Sequence, residues 1–188
     1  MQEFTKQYFQ NMDREKFYLW VHLNKEQLIG SAVFTGNNSI TSRLVSWVEK
    51  IHDKSDEGFI PSHTASIIEK DGELYLFDMK PPRASIQPLT QYLLSTKDEY
   101  VLVLRDFELN TFMFRQNLLS HVGEFYAYLS AIRSVLTKRN TRFVRHCSEM
   151  HLRELQKQNK YLSINPEITP NELLNVLRLS KRDYEQVR

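Results

Sequence analysis

The clearest period along this chain is helical. Ile40, Leu44, Trp47, Val48 and Ile51 recur at i, i+4, i+7, i+8 and i+11 and share one face, with Ser42, Arg43, Ser46 and Glu49 opposite. Asn38 or Ser39 can cap this helix by accepting from the free N–H groups of its first turn. The same period puts Val122, Phe125, Leu129, Ile132 and Leu136 on one side of a helix over residues 121–136. Further on, Thr169, Pro170 and Glu172 form a capping box with proline at the first helical position, ahead of Leu173, Leu174, Val176 and Leu177. The charged residues 181–188 read as a fraying tail. Residues 1–27 hold Phe4, Tyr8, Phe9, Phe17, Tyr18 and Trp20 and suit one or two helices packed on the main body, because aromatic stripes at helical spacing are usually core.

Strand patterns fill the middle. Residues 28–34 form an apolar run that enters Thr35-Gly36-Asn37-Asn38, a strand followed by a turn. The β-branched run over residues 63–68 predicts a strand with His63 at its beginning. After the turn at Lys70-Asp71-Gly72, Glu73–Met79 alternates, with Leu74, Leu76 and Asp78 on one face. In a hairpin closed there, Asp78 returns toward the end where His63 begins, so the two are expected neighbours. Pro81 and Pro82 end the second strand, since neither can donate to a ladder. A short helix fits residues 88–95, and the continuous apolar run Tyr100 to Leu104 suits a strand buried on both faces. Residues 52–58 read as a solvated loop, and residues 106–120 fit either strand or helix.

Composition narrows the function classes. A chain of 188 residues with 41% hydrophobic content can bury one sizeable core and is short for two. With 25 basic and 23 acidic residues, the net charge of +2 gives no broad electrostatic case for nucleic acid or an anionic membrane. No apolar run approaches the roughly 18 residues of a membrane span. The opening Met-Gln-Glu-Phe-Thr lacks the basic-then-apolar pattern of a secretory signal, and a single cysteine cannot form an internal disulfide, so a cytoplasmic protein is expected.

That cysteine, Cys147, opens the segment Arg145-His146-Cys147-Ser148-Glu149-Met150-His151, which reads as a helix start. Unsatisfied backbone N–H groups and the macrodipole favour a thiolate there. A lone cysteine is nevertheless more often a small buried hydrophobe. What raises the chemical reading is company: His63 at a strand start and Asp78 on the partner strand supply a base and an orienting carboxylate for a thiol nucleophile. Glu69 and Asp71 are nearby alternatives for the carboxylate. Lys138, Arg139, Arg142 and Arg145 precede the cysteine; they suit an acidic substrate, although a solvated basic edge is the commoner meaning of such a run. His22, His52 and His121 read as bystanders. Cys147 and His151 have a metal-binding spacing, but no second pair accompanies them, so no metal or cofactor is expected. Ser148 is expected to help cap the helix and Glu149 to stabilise its first turn.

At these residues the chain resembles the circularly permuted, NlpC-type papain-like cysteine hydrolases, in which histidine precedes cysteine. Gly30 to Ile40 looks like the family's opening glycine, strand, glycine turn and Ser-Ile helix. Pro61-Ser62-His63-Thr64-Ala65 looks like its Ser-His strand, Cys147-Ser148-Glu149-Met150 is similar to its Cys-Ser-Glu-Leu helix start, and Ile168-Thr169-Pro170 fits its usual ending. Ser31 stands where the family often has aspartate, and Asp78 where it often has glutamate. The resemblance implies an α+β fold with a central antiparallel sheet packed by helices. It also implies a catalytic domain over residues 28–180, preceded by an aromatic-rich helical extension over residues 1–27, and Cys147, His63 and Asp78 as catalytic residues. The activity implied is thiol-dependent hydrolysis of a peptide, isopeptide or acyl-amide substrate through a thioester. The alternatives are a catalytically inactive binding protein of the same fold, or a lipid-directed thiol acyltransferase touching a membrane surface through residues 1–27.

Overall fold

The computed structural model describes residues 2–36, 59–79, 83–124, 147–166 and 168–186. The expected helix over residues 40–51, the loop over 52–58, Pro81 and Pro82, residues 125–136 of the second expected helix, and the basic residues 138–145 lie outside them.

Among the described residues, six strands form one antiparallel sheet: β1 (Glu3–Thr5), β2 (Ala32–Gly36), β3 (His63–Lys70), β4 (Glu73–Met79), β5 (Ala84–Pro88) and β6 (Glu99–Val103), in the order β1-β6-β2-β3-β4-β5. The described helices are α1 (Lys6–Gln10), α2 (Arg14–Leu23), α3 (Lys25–Leu28), α4 (Leu89–Ser95), α5 (Thr111–Ser120), α6 (Cys147–Gln156) and α7 (Pro170–Gln186). The protein is thus α+β with an antiparallel sheet, the fold class expected of it.

Strand alternation sorts the helices into two layers. Val33, Ala65, Ile67, Leu74, Leu76, Tyr100 and Leu102 point to one face, where Phe9, Phe17, Leu28, Leu89 and Leu93 of α1 to α4 cover them. Ala32, Phe34, Val101 and Val103 point the other way, under Leu152 of α6 and Leu173, Leu174 and Leu177 of α7. Farther along that second face, Ile68, Phe77 and Met79 meet Phe114 and Leu118 of α5 and Met150 and Leu155 of α6. Each such side chain taken fully out of water contributes roughly 1.5–3 kcal/mol, so covering both faces is what holds a sheet with buried central strands.

Several elements differ from the sequence expectation. The aromatic N-terminal segment also supplies β1, which pairs with β6; its three residues are too few to show a period. The residues directly after Arg83 form β5, where the alternation is weak because the strand lies at the sheet edge. Residues 121–124 do not begin a helix: His121 caps the end of α5, Gly123 takes a positive φ of 89°, and residues 123 and 124 exchange backbone hydrogen bonds with Ala84. Residues 181–186 continue α7 instead of forming a separate tail. The capping box forms as written, with the Thr169 N–H donating to Glu172 Oε2 at 2.9 Å and the Glu172 N–H to Thr169 Oγ1 at 3.2 Å. No helix among the described residues is long and apolar enough to cross a membrane.

Two glycines set the path of the sheet. Asp71 and Gly72 both have positive φ, 53° and 86°, which closes the β3–β4 hairpin in two residues with the twist its strands need. Gly30, at φ 85°, enters β2 beside Arg105, whose guanidinium donates to the carbonyls of Glu26, Ile29 and Phe107. A Cβ on Gly72 would meet nothing, whereas one on Gly30 would collide with Leu109. Gly72→Ala should therefore lower the unfolding free energy by about 1–2 kcal/mol, the left-handed backbone cost alone, and Gly30→Ala by more; urea unfolding of the two variants measures the difference.

Candidate active site

The hairpin register builds the first half of the site. Ser66 pairs with Phe77 and Ile67 with Leu76, so continuing the ladder puts Asp78 opposite Ala65, one alternate position from His63 on the same face. The side chains meet there: His63 Nε2 and Asp78 Oδ1 are 2.6 Å apart, with Asp78 2% exposed and the His63 side chain 18%. Glu69 and Asp71 are at the other end of the hairpin. Glu69 accepts from the Gly72 N–H and from Arg115, and Asp71 is in the turn. Asp78 is therefore the carboxylate that orients His63.

The second half comes from the opposite face. Cys147 begins α6, is buried at 7% exposure, and belongs to the apolar cluster over Ile68 and Phe77. It meets His63 where β3 and α6 both begin. Since Nε2 is committed to Asp78, Nδ1 is the ring nitrogen left for the sulfur, and an imidazolium donates at both positions. The backbone N–H groups of Thr64 and Ser148 also favour the charged form of the sulfur.

Electrostatics decide the protonation state of this line. Burial by itself pushes the His63 imidazole down, but the charges of Cys147 and then Asp78, with hydrogen bonds to both, outweigh it and raise its pKa to about 10. Burial pushes the Cys147 thiol up; the His63 charge and hydrogen bond, then the two N–H donors, bring it below its ordinary value. Across the interval between the lowered thiol pKa and about 10, the pair is a thiolate and an imidazolium.

Further residues lie around it. His151 is 1% exposed, and its Nδ1 lies 2.8 Å from Ser66 Oγ; burial drives its pKa down to about 4, so it is neutral at physiological pH. Truncating either member would strand a buried polar group, at a cost of about 1–3 kcal/mol. A signal for His151 was present, since i and i+4 share a helix face and Cys147 faces inward. Tyr92 on α4 is buried enough to push its hydroxyl up to about 12; Thr96 and Thr35 hydrogen-bond it, and Asp98 and Asp78 add charge. Thr35 is the cross-strand partner of His63, and nothing in the sequence announces that Tyr92 reaches it.

The remaining expectations divide. Ser148 is fully buried and its hydroxyl donates to the Ile168 carbonyl at 2.5 Å, which ties the start of α6 to the segment before α7, so its side chain is not spent on capping. Glu149 is in the first turn, as expected, and accepts from Arg153 at 2.6 Å. Ser31 donates to Gln27 O and accepts from the Arg105 N–H, a structural role. Cys147 and His151 share a helix face, but His151 is committed to Ser66, and no cluster of His, Cys, Asp and Glu among the described residues has the makings of a metal site. His121 pairs with Glu124 at 2.8 Å.

No protein-family model, curated protein or solved structure matches the chain. A functional reading therefore stands on the geometry of these side chains.

Iodoacetamide should alkylate Cys147 well below the ordinary thiol range near pH 8.5. His63→Ala should move the midpoint of that pH profile upward, because it removes the cation that lowers the thiol pKa. Asp78→Asn should move it less, since the imidazole remains while its own pKa falls. Rates measured from pH 4 to 10 check both.

Proposed function

We propose that this protein is a thiol-dependent hydrolase of the permuted papain-like kind, with Cys147 as nucleophile, His63 as acid and base, and Asp78 orienting the imidazole. The observation that carries the reading is the 2.6 Å bond from His63 Nε2 to Asp78 Oδ1, with the other side of the same ring serving the Cys147 sulfur. A structural histidine needs one satisfied partner; this one joins a buried carboxylate to a buried thiol whose pKa it lowers. The chain order of histidine, carboxylate and cysteine, and a helix that begins at the cysteine against an antiparallel sheet, also fit the permuted arrangement.

The roles follow from the charge state. The Cys147 thiolate attacks the acyl carbon, and the backbone N–H groups at the start of α6 are available to the developing oxyanion. His63 gives its proton to the departing nitrogen or oxygen as the carbonyl re-forms, leaving a thioester. Water then attacks that thioester with neutral His63 accepting its proton, and the thiolate departs, again beside an imidazolium. Asp78 keeps Nδ1 toward the sulfur and balances the positive ring throughout.

Incubation of the full chain with activated acyl esters and chromogenic acyl amides, followed by mass spectrometry, tests this. Acyl groups should appear on Cys147 and turn over continuously. Cys147→Ala should abolish both events, and His63→Ala should slow turnover by about 100-fold or more. Acylation no faster than in His63→Ala, with no product beyond one equivalent, would sink the hydrolase and favour a binding protein.

A further inference from the structure

Helix α6 and strand β3 have commensurate repeats. Four helical residues rise about 6 Å and two strand residues about 6.8 Å, so positions 147, 151 and 155 can face 64, 66 and 68 in turn. The contacts follow that spacing. The Thr64 N–H is among the groups that lower the Cys147 thiol pKa, His151 Nδ1 and Ser66 Oγ are 2.8 Å apart, and Leu155 and Ile68 share an apolar cluster.

The middle contact differs from its neighbours. It joins two polar side chains, both essentially without solvent exposure, at 2% for Ser66 and 1% for His151. The apolar side chains of α6, Met150, Leu152 and Leu155, gain from burial whichever way they slide, because the hydrophobic effect has no direction. A hydrogen bond does: it is confined to a narrow window of distance and angle. Sliding α6 by one turn, or rolling it by one residue, would separate Ser66 from His151 and leave two buried polar groups without partners.

We infer that Ser66 and His151 are positioning residues whose hydrogen bond sets the register of α6 on β3 and so holds the Cys147 sulfur against the His63 ring. The inference rests on Cys147 and His63 being the reacting pair. Neither positioning residue touches that pair's reacting atoms: Ser66 points to the face opposite His63, and His151 lies one helical turn beyond Cys147. Around His151, α5 contributes the Phe114 ring at 5.9 Å, β3 contributes Ser66, and α6 carries Glu154, itself paired with Lys157 at 2.6 Å. Burial holds the His151 pKa down at about 4, so its ring is neutral at physiological pH and the contact with Ser66 is between two uncharged groups there.

The test is the pH dependence of Cys147 alkylation by iodoacetamide in the full chain, with thermal unfolding measured in parallel. Ser66→Ala should move the midpoint upward by about one pH unit, which is an about tenfold slower reaction on the acid side. Ser66→Thr keeps the hydroxyl, and His151→Asn keeps a hydrogen-bonding atom near the Nδ1 position; both should retain the wild-type midpoint. The double variant Ser66→Val with His151→Leu replaces the pair by apolar groups, an exchange that buried polar pairs often survive without loss of stability. It should fold and still show the raised midpoint. A wild-type midpoint in Ser66→Ala or in the folded double variant overturns the inference, as does a Ser66→Thr midpoint as high as that of Ser66→Ala. The readout is thiolate formation, not turnover, so its failure is separate from failure of the hydrolase reading.

Discussion

The register of the β3–β4 hairpin is the constraint on which the site depends. Side chains alternate with a period of two, so a slip of one residue would turn Asp78 to the face opposite His63 and send Leu74 and Leu76 away from their core. The two-residue turn at Asp71 and Gly72 leaves no slack for such a slip, because both residues hold left-handed backbone. Lys25 donates to the Gly72 carbonyl at 2.6 Å and Glu69 accepts from the Gly72 N–H at 2.7 Å, which ties the turn to α3 and to its own strand. A carboxylate six residues beyond the turn and a histidine eight residues before it are brought within hydrogen-bond reach at the far end.

Charge balance explains how the line tolerates burial. A thiolate or an imidazolium by itself in this environment would be neutralised by a pKa shift, since desolvation opposes the charged form of each. Together they are a pair, with Asp78 behind the cation and two backbone N–H donors at the anion. Each charge is held by the others. The line is also coupled to the fold on both sides of the sheet: His63 and Asp78 share the face covered by α1 to α4, whereas Cys147 comes from the layer of α5 to α7.

The parts of this arrangement differ in how legible they were. The hairpin, the strand over Glu73–Met79, the buried strand β6 and the capping box of α7 are local, because alternation, turn chemistry and caps act over a few neighbouring residues. His63 and Asp78 were readable as neighbours for that reason. Strands β1 and β5 were not, because edge strands of three and five residues are defined by their partners more than by their own pattern. Ser148 was misread as a cap because its partner, Ile168, is 20 residues away. Ser66 and His151 are 85 residues apart, and Tyr92 reaches Thr35 from a helix whose sequence carries no sign of it.

By itself, then, the sequence determined the α+β character, the hairpin that pairs a histidine with a carboxylate, and a lone cysteine at a helix start. Each follows from interactions within one or two turns of chain, where residue type and spacing fix the outcome. Only the tertiary structure decided which carboxylate serves His63, that the sulfur comes from the other helical layer, and that a buried serine and histidine hydrogen-bond that helix to the strand. Those choices depend on contacts between distant segments, whose distances are set by the packing of both sheet faces at once.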